Sequence, residues 1–384
     1  MGCWSRSADP ALVVFEGGRA AGYWEKRLQQ VRRAAVQDLL ARAGQAQCFD
    51  PVVLVTDDAE WGQALQAEAP GLVVWRTGAT PFHFGRCLKD VVASLGLERV
   101  LYMGGGAAPL ASPALLARLA AAGAVPEGAA PGRLVANNLY SADIVGFAPA
   151  LAALESIDLP AEDNILAWRL HQQAGLPVAP APDSLALHLD IDTPAELAVL
   201  ALAPQTGPCT RAALARWSEL PLARYRQLMA AFQDEWAEVS IWGRVGSKTW
   251  GFLDRHTRCR LRVFSEERGM KALGRDASGQ AVSFLGYLMD EIGPSAFFRR
   301  FGQASQVLAV DTRVLFAHRR LVLPTEERFL SDLGLWQEIR TPWLRDFTRA
   351  ATEAPLPVLL GGHSLVAGGL PVLAAVAEGG EFVV

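Results

Sequence analysis

In the first half of the chain, short apolar runs alternate with longer stretches in which apolar residues recur with a helical period. Short apolar runs of strand length stand at 11–15, 51–58, 72–78 and 99–105. Each is followed by a longer stretch with the 3.6-residue repeat of an amphipathic helix, at 25–44, 60–70, 84–97 and 112–123. This strand–helix order predicts a mostly parallel sheet with helices on both faces.

Three more strands are expected at 133–140, 143–149 and 185–191, and a helix at 194–203 closes this unit. The stretch PQTGPCT (204–210) is typical of a linker. We therefore expect a first domain at 1–204, a linker and first helix at 205–224, and a second α/β domain at 225–384.

The second half has a less regular rhythm. Helices are predicted at 217–236, 281–293 and 342–354, and strands at 238–243, 259–265 and 357–362. The segment 306–318 is predicted to be a strand pair, or a strand followed by a turn.

Composition excludes several classes of protein. The chain has 384 residues and a formal net charge of −4, which disfavours a basic nucleic-acid-binding protein. No apolar run reaches the roughly 20 residues that a membrane span needs. The five cysteines form no CxxC pair, so a zinc knuckle is not indicated. Sparse cysteines and a start without an apolar leader lead us to expect a cytoplasmic protein that binds neither nucleic acid nor membrane.

The first chemical candidate is VVFEGGRAAGYWEKRL (13–28), where a strand runs into Gly17-Gly18. Glycine lets the backbone approach a ligand closely, and free N–H groups in such a turn can bind phosphate. Arg19 and Lys26 would neutralise phosphate charge. The alternative is a purely structural turn.

In order and type, Gly17, Gly18, Arg19 and Lys26 resemble the nucleotide-binding loop of the MobA-like nucleotidyltransferases. The resemblance covers about residues 10–204, and it implies a Rossmann-like sheet of the nucleotide-diphospho-sugar transferase type. The chain departs from the family pattern at 22–24, where Gly-Tyr-Trp replaces Arg-Met-Gly.

A second departure follows the strand at 99–105. In the same superfamily this strand ends in a carboxylate that holds Mg²⁺ before a Pro-Leu pair. Here Pro109-Leu110 is present, but Gly106-Ala107-Ala108 stands in place of the acid. The sequence thus indicates either that other carboxylates hold the metal or that the transferase site is degenerate.

The stretch LDIDTPAEL (189–197) resembles the sequence that closes the sheet in phospholactate-guanylyltransferase-like proteins, where an Asp beside Thr-Pro helps to hold the metal. Asp190 and Asp192 match, and on a strand they would share one face. Two close carboxylates suit a hard cation such as Mg²⁺. The alternative is that Asp192 or Thr193 only caps the helix that starts at Pro194.

Asn137 and Asn138 follow the predicted strand at 133–140 and could contact a base or sugar, although Asn also favours turns. In the second half, WGRVGSKTW (242–250) lacks the spacing of a Walker loop but could form an anion-binding turn. Residues 225–384 resemble no family that we recognise.

The resemblance implies an enzyme that transfers a nucleotidyl group from a nucleoside triphosphate to a small phosphorylated or carboxylated acceptor. Gly17, Gly18 and Arg19 would position the phosphates, and Lys26 would stabilise charge at the α-phosphate. Asp190 and Asp192 would hold Mg²⁺, with Asp192 counted as catalytic. The alternatives are a sugar-nucleotide-dependent glycosyltransferase and a degenerate nucleotide-binding or scaffold protein.

Overall fold

The computed structural model describes residues 9–18, 20–78, 81–123 and 132–379, and all that follows concerns these residues. Contacts between residues divide the chain into two compact units. The first unit holds the residues before Ala20 and Arg32–Leu187, and the second holds Ala20–Val31 and the chain from His188 onward.

The first unit alternates strands and helices. Its strands are β1 (Ala11–Phe15), β2 (Val52–Thr56), β3 (Leu72–Arg76), β4 (Val100–Gly104), β5 (Arg133–Ala136), β6 (Ile144–Ala148) and β7 (Val178–Ala179). Its helices are α2 (Ala59–Glu68), α3 (Phe84–Leu95), α4 (Pro113–Ala122), α5 (Ala150–Glu155) and α6 (Leu166–Gln172), while α1 (Tyr23–Ala46) contributes to both units.

These strands form one sheet in the order β3-β2-β1-β4-β6-β5-β7. β1 pairs in parallel with β2 and β4, whereas β6 runs antiparallel to β4 and β5. β1 is central, and its apolar residues Leu12, Val13 and Val14 are fully buried, because helices cover both faces. The predicted mostly parallel α/β sheet is confirmed.

The second unit carries a smaller sheet. Its strands are β8 (Glu238–Gly243), β9 (Arg260–Ser265), β10 (Val307–Asp311) and β11 (Val358–Gly361). They are all parallel, in the order β11-β10-β8-β9. The predicted second α/β region is therefore present as well.

Helices surround this second sheet. They are α7 (Pro194–Leu202), α8 (Pro208–Leu214), α9 (Leu222–Phe232), α10 (Ser247–His256), α11 (Phe284–Ile292), α12 (Pro294–Ala304), α13 (Thr312–His318), α14 (Thr325–Leu333), α15 (Pro342–Thr352) and α16 (Leu370–Ala377). A π-helical turn at Leu365–Gly369 precedes α16.

The strand expected at 185–191 does not form. Leu185–His188 is a 3-10 turn instead. The backbone N–H of Asp190 donates to the Ser364 hydroxyl, which in turn donates to the Asp190 carbonyl oxygen. Asp190 forms only an isolated β-bridge, and a side chain satisfies part of its backbone hydrogen bonding. The alternating apolar residues Leu187, Leu189 and Ile191 are buried, as the pattern predicted. They do not form the strand that the pattern also predicted.

The boundary between the units also differs from the one expected near residue 205. Helix α7 is buried over Pro194–Leu200 and packs against α9, α14, α16 and β11 of the second unit. A helix that is apolar on every side needs a core around it, and here the second unit supplies that core. The expected linker is also shorter, since α8 starts at Pro208.

A further correction concerns 306–318, where one strand leads directly into helix α13. The carboxylate of Asp311 caps this helix by accepting from the N–H of Arg313. The apolar run VLF was mistaken for a strand because short buried helices and strands share the same pattern.

Candidate functional site in the first unit

The carboxyl end of β1 is the point where the strand order of the first sheet reverses. β2 and β3 lie on one side of β1, and β4 lies on the other. Open α/β sheets bind ligands in the crevice at such a point. The residues that follow β1 there are Glu16, Gly17 and Gly18.

Glycine is required at position 18 by its backbone, and at position 17 it leaves room for the Asp57 side chain. Gly18 has φ of +97°, a value that side chains disfavour. A Cβ on Gly17 would lie 2.7 Å from a carboxylate oxygen of Asp57, the residue after β2. Arg19, which we expected to bind phosphate, lies outside the described residues.

The N–H of Gly18 points at a carboxylate. It lies 3.3 Å from each carboxylate oxygen of the exposed Asp57. A backbone N–H that donates to a carboxylate oxygen can donate to a phosphate oxygen in the same way. The turn therefore has the geometry of an anion site, and the Asp57 carboxylate occupies it.

Glu16 is the most deeply buried acid of this edge. Its carboxylate accepts from Nη2 of Arg32 on α1, at 2.7 Å. Burial raises the pKa of Glu16, while the positive charge of Arg32 opposes that rise. A Cβ on Gly105, after β4, would lie 2.1 Å from the Glu16 carboxylate, so glycine at 105 makes room for this acid.

The segment after β4 has no acidic residue, and the structure shows how it is held. Residues 105–110 are buried, and Ala108 has φ of +45°. Arg42 of α1 donates to the carbonyl oxygens of Pro109 and Ala111, at 2.8 and 3.1 Å. Carboxylates near this edge come from Glu16 and Asp57, after β1 and β2, and from Asp163, which accepts from the Tyr102 hydroxyl of β4 at 2.6 Å.

Asn137 and Asn138 use their side chains within the loop after β5. The Asn137 side-chain oxygen lies within 3.3 Å of the N–H groups of Asn138, Asp143 and Ile144, and its amide donates to the carbonyl of Leu187. Asn138 accepts from the N–H of Tyr140. In this arrangement both residues shape the turn.

Sequence reasoning missed Glu16, Arg32 and Asp57. Glu16 stands inside the quoted EGG motif, and its sequence signal is a carboxylate directly after a buried strand. Asp57 gives the same signal, because it directly follows the buried strand β2. Arg32 gave no such signal, because its pairing with Glu16 depends on how α1 packs on β1.

Lys26, Asp190 and Asp192 belong to the second unit. Lys26 is an exposed residue in the first turns of α1, and within the described chain it forms no ion pair. Asp192 is exposed, and its carboxylate has no hydrogen bond to the residues that the structure describes.

The helix that follows Asp192 is capped by its neighbour. The Thr193 hydroxyl accepts from the N–H of Ala195, and the Glu196 carboxylate accepts from both the N–H and the hydroxyl of Thr193. Glu196 is fully buried, and burial together with Asp192 raises its pKa to about 8. Capping therefore does not account for Asp192.

The carboxyl edge of the second sheet is built from buried ion pairs. Arg244, after β8, donates to both carboxylate oxygens of Asp311 at 2.6 and 3.1 Å. Burial favours a higher pKa for Asp311, but the charge of Arg244 outweighs it and the pKa lies below its usual value. Arg313 binds Asp332 in the same two-pronged way.

Two features are absent from the described residues. No group of three or more His, Cys, Asp or Glu side chains is arranged to hold a metal ion within the described ranges. Across the same ranges, no helix combines the length and apolarity that crossing a bilayer requires.

Comparison with protein-family models and with curated proteins found no match. Several solved structures are similar to about half of the chain. A cytidylyltransferase from Leptospira borgpetersenii is 15% identical, and the match covers 46% of this chain and 76% of that one with a TM-score of 0.34. A nucleotidyl transferase from Methanothermobacter thermautotroptrophicus is 18% identical, covering 47% and 90% with a TM-score of 0.34.

A 4-diphosphocytidyl-2C-methyl-D-erythritol synthase is 14% identical, and the match covers 48% of this chain and 92% of that one with a TM-score of 0.35. At these sequence identities and TM-scores, the similarity assigns no activity to this chain.

Proposed function

We propose that the first unit binds a nucleoside triphosphate and that the protein is a nucleotidyltransferase. The observation that carries this proposal is the turn Gly17-Gly18 at the carboxyl end of β1. It combines a reversal of strand order, a glycine at positive φ and an N–H that already holds a carboxylate. These are the features with which an α/β sheet binds phosphate.

In this proposal a phosphate oxygen replaces the Asp57 carboxylate on the N–H of Gly18. Once displaced, the Asp57 carboxylate is available as an oxygen ligand. Arg32 and Arg33 are held beside the turn by Glu16 and Asp58, at 2.7 and 2.8 Å. Their fixed positive charge offsets part of the triphosphate charge, so positioning and electrostatics supply most of the rate enhancement.

The acceptor in this proposal is a small phosphorylated or carboxylated molecule, and Lys26 stabilises charge at the α-phosphate. Mg²⁺ would neutralise phosphate charge, and its proposed ligands are Asp190 and Asp192. The donor chemistry fits, because Mg²⁺ is commonly held by one or two carboxylates together with substrate phosphates and water.

A second candidate is nucleotide binding without transfer. It is favoured by the buried, acid-free segment at 105–110 and by the Asp57 carboxylate on the turn. Under this alternative, triphosphate binds with an affinity that does not depend on Mg²⁺, and no nucleotidyl group is transferred.

A matched pair of substitutions tests the binding site. Nothing lies within 4 Å of a Cβ placed on Gly18, so Gly18→Asp and Gly18→Asn impose the same backbone demand and differ mainly in charge. Titration calorimetry with each of the four triphosphates, with and without Mg²⁺, should show at least a tenfold weaker affinity for Gly18→Asp than for Gly18→Asn. Equal affinities would show that the triphosphate does not contact this turn.

A further inference from the structure

A ligand-sized, open cavity lies in the second unit, within the β8–α10–β9 segment. Its volume is about 470 Å³, which falls in the range of small-molecule sites. Leu261 and Val263 of β9 and the ring of Trp250 form its apolar part. Trp250 is about half exposed.

The other end of the cavity is polar and positive. Val245, Gly246 and Ser247 line it at the start of α10, together with Arg268 after β9. Nη2 of Arg268 lies 4.0 Å from the position of a Cβ on Gly246. In the described part of the chain, Arg268 has no ion pair.

The turn that forms this end is rigidly built. Gly243 has φ of +136°, and a Cβ there would lie 2.3 Å from Cβ of Asp311. The hydroxyl of Ser265 donates to the carbonyl of Val245 at 2.7 Å, which ties the end of β9 to the turn. The N-cap of the ten-residue helix α10 is Gly246, and among the described residues no side chain caps it.

We propose that this cavity binds a nucleotide, with its base against Trp250, Leu261 and Val263 and its phosphate between Arg268 and the start of α10. An aromatic ring beside two aliphatic side chains fits a heterocyclic base. An arginine that lacks a carboxylate partner beside uncapped N–H groups fits a phosphate. This site is separate from the triphosphate site proposed for the first unit and does not depend on it.

The sharpest test uses Gly246. Its backbone is extended, and a Cβ there makes only ordinary contacts, so Asp and Ser both fit as N-cap residues. Both variants should melt at or above the wild-type temperature. Gly246→Asp also places a carboxylate where the phosphate would lie, whereas Gly246→Ser adds no charge.

The full chain and these variants are titrated with nucleoside monophosphates, inorganic phosphate and adenosine. We expect Gly246→Asp, Arg268→Gln and Trp250→Ala to bind the best monophosphate at least tenfold more weakly. The control Trp236→Ala, which changes another exposed tryptophan, should bind it within threefold of wild type. Gly246→Ser, whose hydroxyl can accept from the first N–H groups of α10 without adding charge, should bind it more weakly than wild type but more tightly than Gly246→Asp. The Gly18→Asp protein should also keep this binding, because its change lies in the first unit.

Three results would overturn the proposal. The first is the absence of monophosphate binding by the wild-type chain. The second is inorganic phosphate binding as tightly as the monophosphate, which would indicate an anion site only. The third is Gly246→Asp binding like Gly246→Ser, which would place the nucleotide elsewhere.

Discussion

At the residue scale, the candidate site is governed by which carboxylates surround the Gly17-Gly18 turn. Glu16 is buried and paired, whereas Asp57 is exposed and bound only to the N–H of Gly18 among the described residues. A ligand phosphate and the Asp57 carboxylate would compete for the same donor. Asp57 thus lowers the affinity of the turn for anions.

Removing this charge should strengthen triphosphate binding. We expect Asp57→Asn to raise the affinity about threefold to tenfold, since a unit charge at contact distance contributes on the order of 1 kcal/mol in water. Fluorescence titration measures it, with Glu60→Gln, an exposed acid at the start of α2, as the control for net charge. A weaker affinity in Asp57→Asn would instead make Asp57 a residue needed for binding.

Lys26 is tested in the same assay. If it contacts phosphate, Lys26→Ala loses a charge-assisted hydrogen bond of roughly 1.5–3 kcal/mol, which is about a tenfold to hundredfold loss of affinity. The melting temperature should not change, because Lys26 is exposed. Lys89→Ala on α3 is the control, and an unchanged affinity in Lys26→Ala would remove Lys26 from the site.

At the element scale, the sequence predicted the strands and helices well where pattern and burial agree. β1, β2, β4, β8 and β9 lie where their apolar runs predicted them. The 185–191 segment failed because the apolar alternation recorded burial alone, while Ser364, far away in sequence, satisfies the backbone of Asp190. Asp57 could not be connected with Gly18 from the sequence, because that contact depends on the pairing of β1 with β2.

The close packing of β1 against β4 can be tested at Gly105. A Cβ there would meet the Glu16 carboxylate, so Gly105→Ala should destabilise the protein by roughly 1–3 kcal/mol. Gly44→Ala in α1, where a Cβ meets nothing within 4 Å, should be neutral or stabilising. Urea denaturation compares the two, and equal stabilities would mean that Glu16 has room to move.

The capping box of α7 gives a pH dependence. Glu196 has a native pKa of about 8 and an ordinary value of 4.5, so the unfolded chain loses this proton at lower pH than the native one does. Stability therefore falls as pH rises from about 4.5 to 8. Glu196→Gln should remove this slope and gain roughly 1–3 kcal/mol relative to wild type between pH 5 and 8.

Denaturation at several pH values measures this effect, with Glu235→Gln as an exposed control. Gln can still accept from the N–H and hydroxyl of Thr193, so the cap is kept. An unchanged slope in Glu196→Gln would show that another group titrates in this range.

At the scale of the whole molecule, the chain combines two α/β units whose boundary is not where composition changes. The Pro- and Gly-rich stretch at 204–210 suggested a linker, yet the helices on both sides of it belong to the second unit. A Pro- and Gly-rich composition predicts a loop. The boundary between two units depends instead on which hydrophobic core each helix packs into. Helix α7 joins the core that includes Leu360 and Leu373, both fully or nearly fully buried.

Two fragments test this assignment. A fragment that starts at residue 205 lacks α7 and should fail to melt cooperatively, because seven successive residues of α7 are buried in the second unit. A fragment that starts at residue 188 keeps α7 and should retain more helical signal by circular dichroism. Equal melting of the two fragments would show that α7 is dispensable to this unit.

The central claim, a triphosphate site at the Gly17-Gly18 turn, is tested most directly by hydrogen exchange of the full chain with and without each triphosphate. Bound triphosphate should slow exchange of the amides at 16–18. Protection confined to the start of α10, or no protection in the first unit at a saturating concentration, would contradict the claim.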